Sequence, residues 1–216
     1  RDPNPLVHGK GAALLRQAGV DVEEDFMRNQ CDTLNPVFFH YITHKTPYVA
    51  MKYAMTADGK IACHTGLSQW VTGETARAHV QTLRHQYRGI LAGIGTVLQD
   101  DPMLTCRMEG GRNPVRIICD SQLRIPLTSN LVRTAKEVPT IVACAAPMPD
   151  KRAALEGLGI TVLDLPGADG RVDLPALMTE LGKREIDGIL LEGGGGLNES
   201  MLRQGLVHKV YCYLAP

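Results

Sequence analysis

From Tyr48 onward the chain alternates short apolar runs with stretches of helical period. The runs Tyr48 to Met55, Gly89 to Ile94, Val115 to Asp120, Thr140 to Cys144, Ile160 to Leu163, Ile189 to Glu192 and Val207 to Leu214 read as strands. Between them, helices are predicted over Thr72 to Tyr87, Lys151 to Leu158, Leu174 to Lys183 and Leu197 to Gln204. The first is the clearest, with Thr72 as its N-cap and Ala76, Val80 and Leu83 on one apolar face. Strands alternating with helices of these lengths predict an α/β fold, a mostly parallel sheet with helices on both faces. Residues 1–44 read differently: a helix from Gly11 to Gln17 ended by Gly19, a strand Val20-Asp21-Val22, and a helical stretch from Asp25 to Phe39 broken before Pro36.

Charge changes this picture little. The 216 residues carry 23 basic and 23 acidic side chains, so no whole-molecule field favours nucleic acid or a membrane surface, and any anion site must be local. Aromatic residues are only 5% of the chain, too few for a base-stacking platform. No apolar run has the length of a membrane span. The six cysteines form no C-x-x-C pair, and Cys119, Cys144 and Cys212 lie in or beside strand-like runs, which favours reduced, buried thiols and a cytoplasmic setting. The chain opens on Arg1 and stops in its last strand, so it reads as a fragment at both ends.

Several segments carry chemistry. Glu192-Gly193-Gly194-Gly195-Gly196-Leu197-Asn198-Glu199-Ser200 follows a strand and enters a helix, where bare N–H groups and missing Cβ atoms admit a phosphate. The glycines are consecutive, which departs from G-x-G-x-x-G, and a flexible strand-to-helix turn is the bland alternative; the backbone entropy that four glycines cost favours a phosphate loop. Gly93-Ile94-Gly95-Thr96 is a second such turn; Thr96 reads equally as a helix cap or as a donor to phosphate or ribose. Asp100-Asp101-Pro102 ends the short segment after it, and adjacent carboxylates diverge, so at most one faces a site. Lys52 lies mid-strand in an apolar run, unusual unless its head reaches a cleft. Arg77 and Arg84 share one helix face, and Arg107 follows the Asp-Asp-Pro turn; each is a phosphate partner or a solvated surface residue. No histidine or cysteine grouping has metal-ligand spacing.

Four motifs, taken together, resemble one family. They are Lys52-x-Ala54-x-Thr56-x-Asp58-Gly59-Lys60, Ser68-x-Trp70-Val71-Thr72, Gly95-Thr96-Val97-x-x-Asp100-Asp101-Pro102-x-Leu104-Thr105-x-Arg107, and Glu192-Gly193-Gly194. Residues 45–216 resemble the NADPH-dependent reductase domain of the bifunctional riboflavin biosynthesis enzymes, similar in fold to dihydrofolate reductase. Residues 1–44, opening on Arg1-Asp2-Pro3-Asn4-Pro5, resemble the end of the preceding deaminase domain and its linker. The resemblance implies reduction of the ribosyl group of 5-amino-6-(5-phosphoribosylamino)uracil to a ribitylamino product. It implies zinc only in a deaminase portion whose ligand motif this chain lacks, so no metal is expected here. It implies NADPH on Ala54, Trp70, Thr96, Asp100, Ser121 and the loop Gly194, Gly195, Gly196, Leu197, Asn198, Glu199 and Ser200, and substrate on Ser68, Arg84, Leu104, Arg107 and Glu192. Lys52 is the expected polarising cation, with Asp100 or Glu192 handling the proton, and Ser121 and Arg124 are expected at the cofactor 2′-phosphate. A homodimer is also implied. Two rival readings stand beside this one: a dihydrofolate-type reductase on the same fold, and a nucleotide-binding or dimerisation module without catalysis.

Overall fold

The computed structural model describes residues 2–64, 71–146 and 148–215. The N-terminal part holds α1 (Lys10–Gln17), α2 (Arg28–Asp32) and α3 (Pro36–His44). Then come β1 (Tyr48–Thr56), α4 (Glu74–Gln86), β2 (Gly89–Gly93), α5 (Ile94–Asp100) and β3 (Val115–Cys119). They are followed by α6 (Asn130–Arg133), β4 (Thr140–Cys144), α7 (Pro149–Gly157) and β5 (Thr161–Asp164). The chain closes with α8 (Leu174–Lys183), β6 (Gly188–Leu191), α9 (Gly195–Arg203) and β7 (Lys209–Ala215).

The described strands form one seven-stranded sheet in the order β5-β4-β3-β2-β6-β1-β7. Every pairing in it is parallel. The steps β1 to β2, β3, β4 and β5 all run one way along this order, whereas β5 to β6 and β6 to β7 run back. Crossovers between parallel strands are right-handed, so reversing the direction of travel puts the connecting helices on the opposite face. Packing agrees. Leu83 of α4 packs on Ala50 and Leu190. Ile94 and Val97 of α5, Leu131 of α6 and Leu155 of α7 pack with Ile90, Ile118 and Val142. Register joins these strand residues into one face through Ala50↔Leu190, Ile90↔Leu190 and Ile118↔Val142. On the other face, Leu177 and Leu181 of α8 and Met201 of α9 cover Met51, Leu91, Ile117 and Leu191.

β2 and β6 are therefore neighbours whose outgoing helices, α5 and α9, diverge to opposite faces. A crevice opens at the carboxyl ends of two such strands, the usual ligand position in open α/β sheets.

Several sequence expectations are corrected. Val20 to Val22 forms no strand, and the helical stretch starts only at Arg28 because Asp25 and Met27 take left-handed backbone (φ 61° and 52°), while its break falls before Pro36 as expected. Thr72 does not cap α4: the N-cap is Gly73, with no side-chain hydrogen bond, and the Thr72 carbonyl accepts from Arg77 instead. Cys212 is exposed, since β7 stands at the sheet edge with β1 as its only neighbour among the described strands. The N-terminal helices bury no residue fully, but α3 docks firmly. The Tyr41 hydroxyl donates to the Gly182 carbonyl at 3.1 Å.

Candidate active site

β1 and β6 pair with Met51 opposite Leu191. Extended by one residue, that register sets Lys52 beside Glu192 on the face covered by α4. The Lys52 Nζ lies 3.2 Å from Glu192 Oε2. From α4, Arg84 donates Nε to Oε1 at 2.8 Å and its terminal nitrogen to Oε2 at 3.1 Å, a bidentate fork. Its other terminal nitrogen donates to the Thr105 carbonyl at 3.0 Å. The Glu192 side chain is only 8% exposed. Burial pushes its carboxyl upward, but the Lys52 and Arg84 charges and hydrogen bonds overcome this and hold it at about 2. Burial likewise opposes the Arg84 charge, and Glu192 more than offsets it, so the guanidinium is held above its usual range.

This triad lines a cavity of about 1030 Å³. Ala54 and Thr72 form part of one wall, and Asp100, Leu104, Thr105 and Arg107 form another. Arg77, Gln81, Asn198, Glu199 and Arg203 also line it. A second cavity of about 790 Å³ lies along Gly93 to Thr96, Ser121, Arg124, the turn Gly167 to Pro175, and Gly194 to Leu197 with Ser200. Thr96, Gly194 and Gly195 belong to both, so the two spaces meet at the β2/β6 crevice.

The residues at that junction fit a phosphorylated dinucleotide. α9 starts at Gly195 behind Gly194 as N-cap, with no side chain capping its first N–H groups. A Cβ built on Gly195 or Gly196 would meet nothing within 4 Å, so open space faces this backbone. A Cβ on Gly194 would sit 3.7 Å from Thr96 Oγ1, which places that hydroxyl across the crevice. Thr96 lies in the first turn of α5, whose N-cap is Gly93, so it does not cap the helix.

Of the residues to which the resemblance gives a cofactor, substrate or catalytic role, all that are described line one or both cavities. Lys52, Ala54, Arg84, Asp100, Leu104, Arg107, Glu192, Asn198 and Glu199 line the larger, and Ser121, Gly196, Leu197 and Ser200 the smaller. Ser68 and Trp70 lie outside the described residues. The two adjacent aspartates separate as expected: Asp100 lines the cavity, while Asp101 turns away to accept from Asn130 N at 2.8 Å. The sequence reading missed the 167–175 turn, which forms a wall of the smaller cavity. Its Pro-Gly and Asp-Gly pairs announce a turn but not what it faces. Gln81 was also missed; on α4 its Oε1 accepts from Arg107 N at 2.8 Å and fixes the backbone there.

The model of the RibD C-terminal domain matches residues 47–216. The riboflavin biosynthesis protein RibD of Actinobacillus pleuropneumoniae is 55% identical over 215 residues, covering 100% of this chain and 57% of the relative. The crystal structure of a diaminohydroxyphosphoribosylaminopyrimidine deaminase/5-amino-6-(5-phosphoribosylamino)uracil reductase from Thermotoga maritima superposes with a TM-score of 0.81 at 33% identity, over 99% of this chain and 57% of that one. RibD of Acinetobacter baumannii, form 1, matches with a TM-score of 0.81 at 33% identity, over 100% of this chain and 59% of that one. The chain thus spans somewhat more than half the length of these relatives. With its parallel sheet, paired cavities and matching model, the chain belongs to the RibD C-terminal domain family.

Proposed function

We propose that this chain is the NADPH-dependent reductase of riboflavin biosynthesis acting on 5-amino-6-(5-phosphoribosylamino)uracil, within a protein that also carries a zinc-dependent pyrimidine deaminase. The observation that carries the reading is the Lys52–Glu192–Arg84 triad lining an arginine-bearing cavity that meets the glycine-walled crevice at Thr96, Gly194 and Gly195. NADPH fits the smaller cavity, with Gly194 to Ser200, Thr96 and Ser121 as its contacts and Arg124 offering a cation to the 2′-phosphate. Ala54 and Asp100 extend the cofactor site toward the larger cavity, where Arg84, Leu104, Arg107 and Glu192 hold the substrate. Ser68 and Trp70 take the substrate and cofactor roles that the family resemblance gives them.

Reduction of a ribosylamine needs its ring opened, which leaves an electrophilic C1 and requires a proton on the departing ring oxygen. The Lys52 ammonium is placed to polarise that oxygen, an electrostatic role. A carboxyl held at about 2 is ionised at neutral pH and donates nothing, so Glu192 fixes the two cations. Asp100 remains as the carboxylate for proton handling. The site aligns donor and acceptor and excludes side reactions, while the hydride comes from the cofactor. A cytoplasmic homodimer completes the reading.

The test is NADPH oxidation with the phosphoribosylaminouracil as substrate and dihydrofolate as control. Turnover of the former alone, lost in Lys52→Met by about a hundredfold or more, is the expected result. Reduction of dihydrofolate instead would establish the rival reductase, and NADPH binding without turnover of either would leave a binding module.

A further inference from the structure

We propose that Asn130, which lines neither cavity, is a positioning residue for the substrate subsite and acts through Asp101. The inference rests on the reductase reading above. Asn130 opens α6 and donates twice to Asp101: its backbone N–H to Asp101 Oδ1 and its side-chain Nδ2 to the Asp101 carbonyl, both at 2.8 Å. Asp101 stands at the end of α5 in the left-handed region, with φ 39°. Three residues on, Leu104 also has positive φ, 49°, and is nearly fully buried at 4% exposure. Non-glycine residues hold such backbone only where their surroundings impose it. The segment between them forms a wall of the larger cavity and leads directly into Thr105 and Arg107.

Other ties fix the far side of this segment. Arg84 holds the Thr105 carbonyl, and the buried Arg116 reaches the Met103 carbonyl at 3.3 Å. At its entrance, the Asn130 pair is the side-chain clamp that holds the Asp101 turn. Loosening it lets the turn relax toward ordinary backbone and displaces Leu104 and Arg107 from the substrate, while the cofactor crevice at Gly194 and Ser121 keeps its own supports.

The test compares wild type, Asn130→Ala, Asp101→Ala and the double variant in the full chain, each assayed for both KM values, kcat and melting temperature. The expected result in Asn130→Ala is a rise in the substrate KM of about fivefold, the loss of one hydrogen bond. The NADPH KM and kcat stay within twofold. Asn130→Ala removes the bond to the Asp101 carbonyl and Asp101→Ala the bond from the Asn130 backbone N–H, so the double variant, which breaks both, raises the substrate KM beyond either single change. A selective KM effect separates positioning from plain destabilisation, which would lower active enzyme without altering KM. The proposal is overturned if the substrate KM is unmoved, if both KM values rise together, or if the double variant moves the substrate KM no further than the single changes. It is also overturned if Asn130→Ala and the milder Asn130→Ser both fail to fold, since Asn130 would then be a folding anchor. Absence of turnover in wild type would instead sink the reductase reading.

Discussion

Glu192 is the residue on which the site's electrostatics turn. One buried carboxylate compensates two cations from different elements, Lys52 on β1 and Arg84 on α4. Removing one partner of a buried ion pair strands the other charge and costs roughly 3–5 kcal/mol. Glu192→Ala strands both Lys52 and Arg84, so a loss of stability in that range is expected in urea unfolding, with turnover abolished. The sequence exposed this residue only through the family motif; on its own, a glutamate before four glycines reads as a strand end. Lys52 was more legible, because a lysine inside an apolar strand demands an outlet. That both meet one arginine from α4 was not legible, since sequence spacing carries no information about which helix face meets which strand end.

At the scale of elements, most of the sheet was readable from apolar runs, and β4 and α8 coincide with their predicted bounds. The N-terminal helices were less so, because the start of α2 and the end of α3 depend on left-handed residues, Asp25, Met27 and Lys45, none of them glycine. α3 is nevertheless fitted closely to the sheet. A Cβ on Gly182 of α8 would lie 1.9 Å from the Lys45 carbonyl, so only glycine lets the end of α3 approach. The same junction stacks His40 on His44 and sets it edge-on to His208, with ring centroids 4.5 Å and 4.1 Å apart. Burial first, then the neighbouring His208 and His44, lower the His40 pKa to about 4 from its ordinary 6.5. Between those two values the unfolded chain binds the proton that the folded chain refuses. His40 therefore leaves stability untouched above about pH 6.5 and diminishes it as pH falls toward 4. Urea midpoints measured at pH 7 and pH 5 are expected to differ less in His40→Phe than in wild type.

Over the whole molecule, the order of strands explains why the site joins segments far apart in the chain. β1, which carries Lys52, is flanked by β6 and β7, both encoded more than a hundred residues later. Such distant pairing was beyond a reading based on local periodicity; alternation announces a parallel sheet but not which strand is inserted between which. It also makes the site a late product of folding, since non-local pairing is slow to form. Refolding from urea is expected to restore helical signal before NADPH binding, followed by nicotinamide fluorescence. Simultaneous recovery would show that the crevice forms with the first helices.

The triad leaves a remainder. Two cations share one anion, and Arg107, exposed at the same cavity, has no ion pair among the described residues. In a protein with equal numbers of acids and bases, this cavity is thus a local surplus of positive charge. The surplus makes it a trap for small oxyanions whether or not they carry a nucleobase, so buffer composition enters the kinetics. Sulfate and inorganic phosphate are the intruders to watch, because a dianion of the right size satisfies the odd charge as readily as the sugar phosphate does.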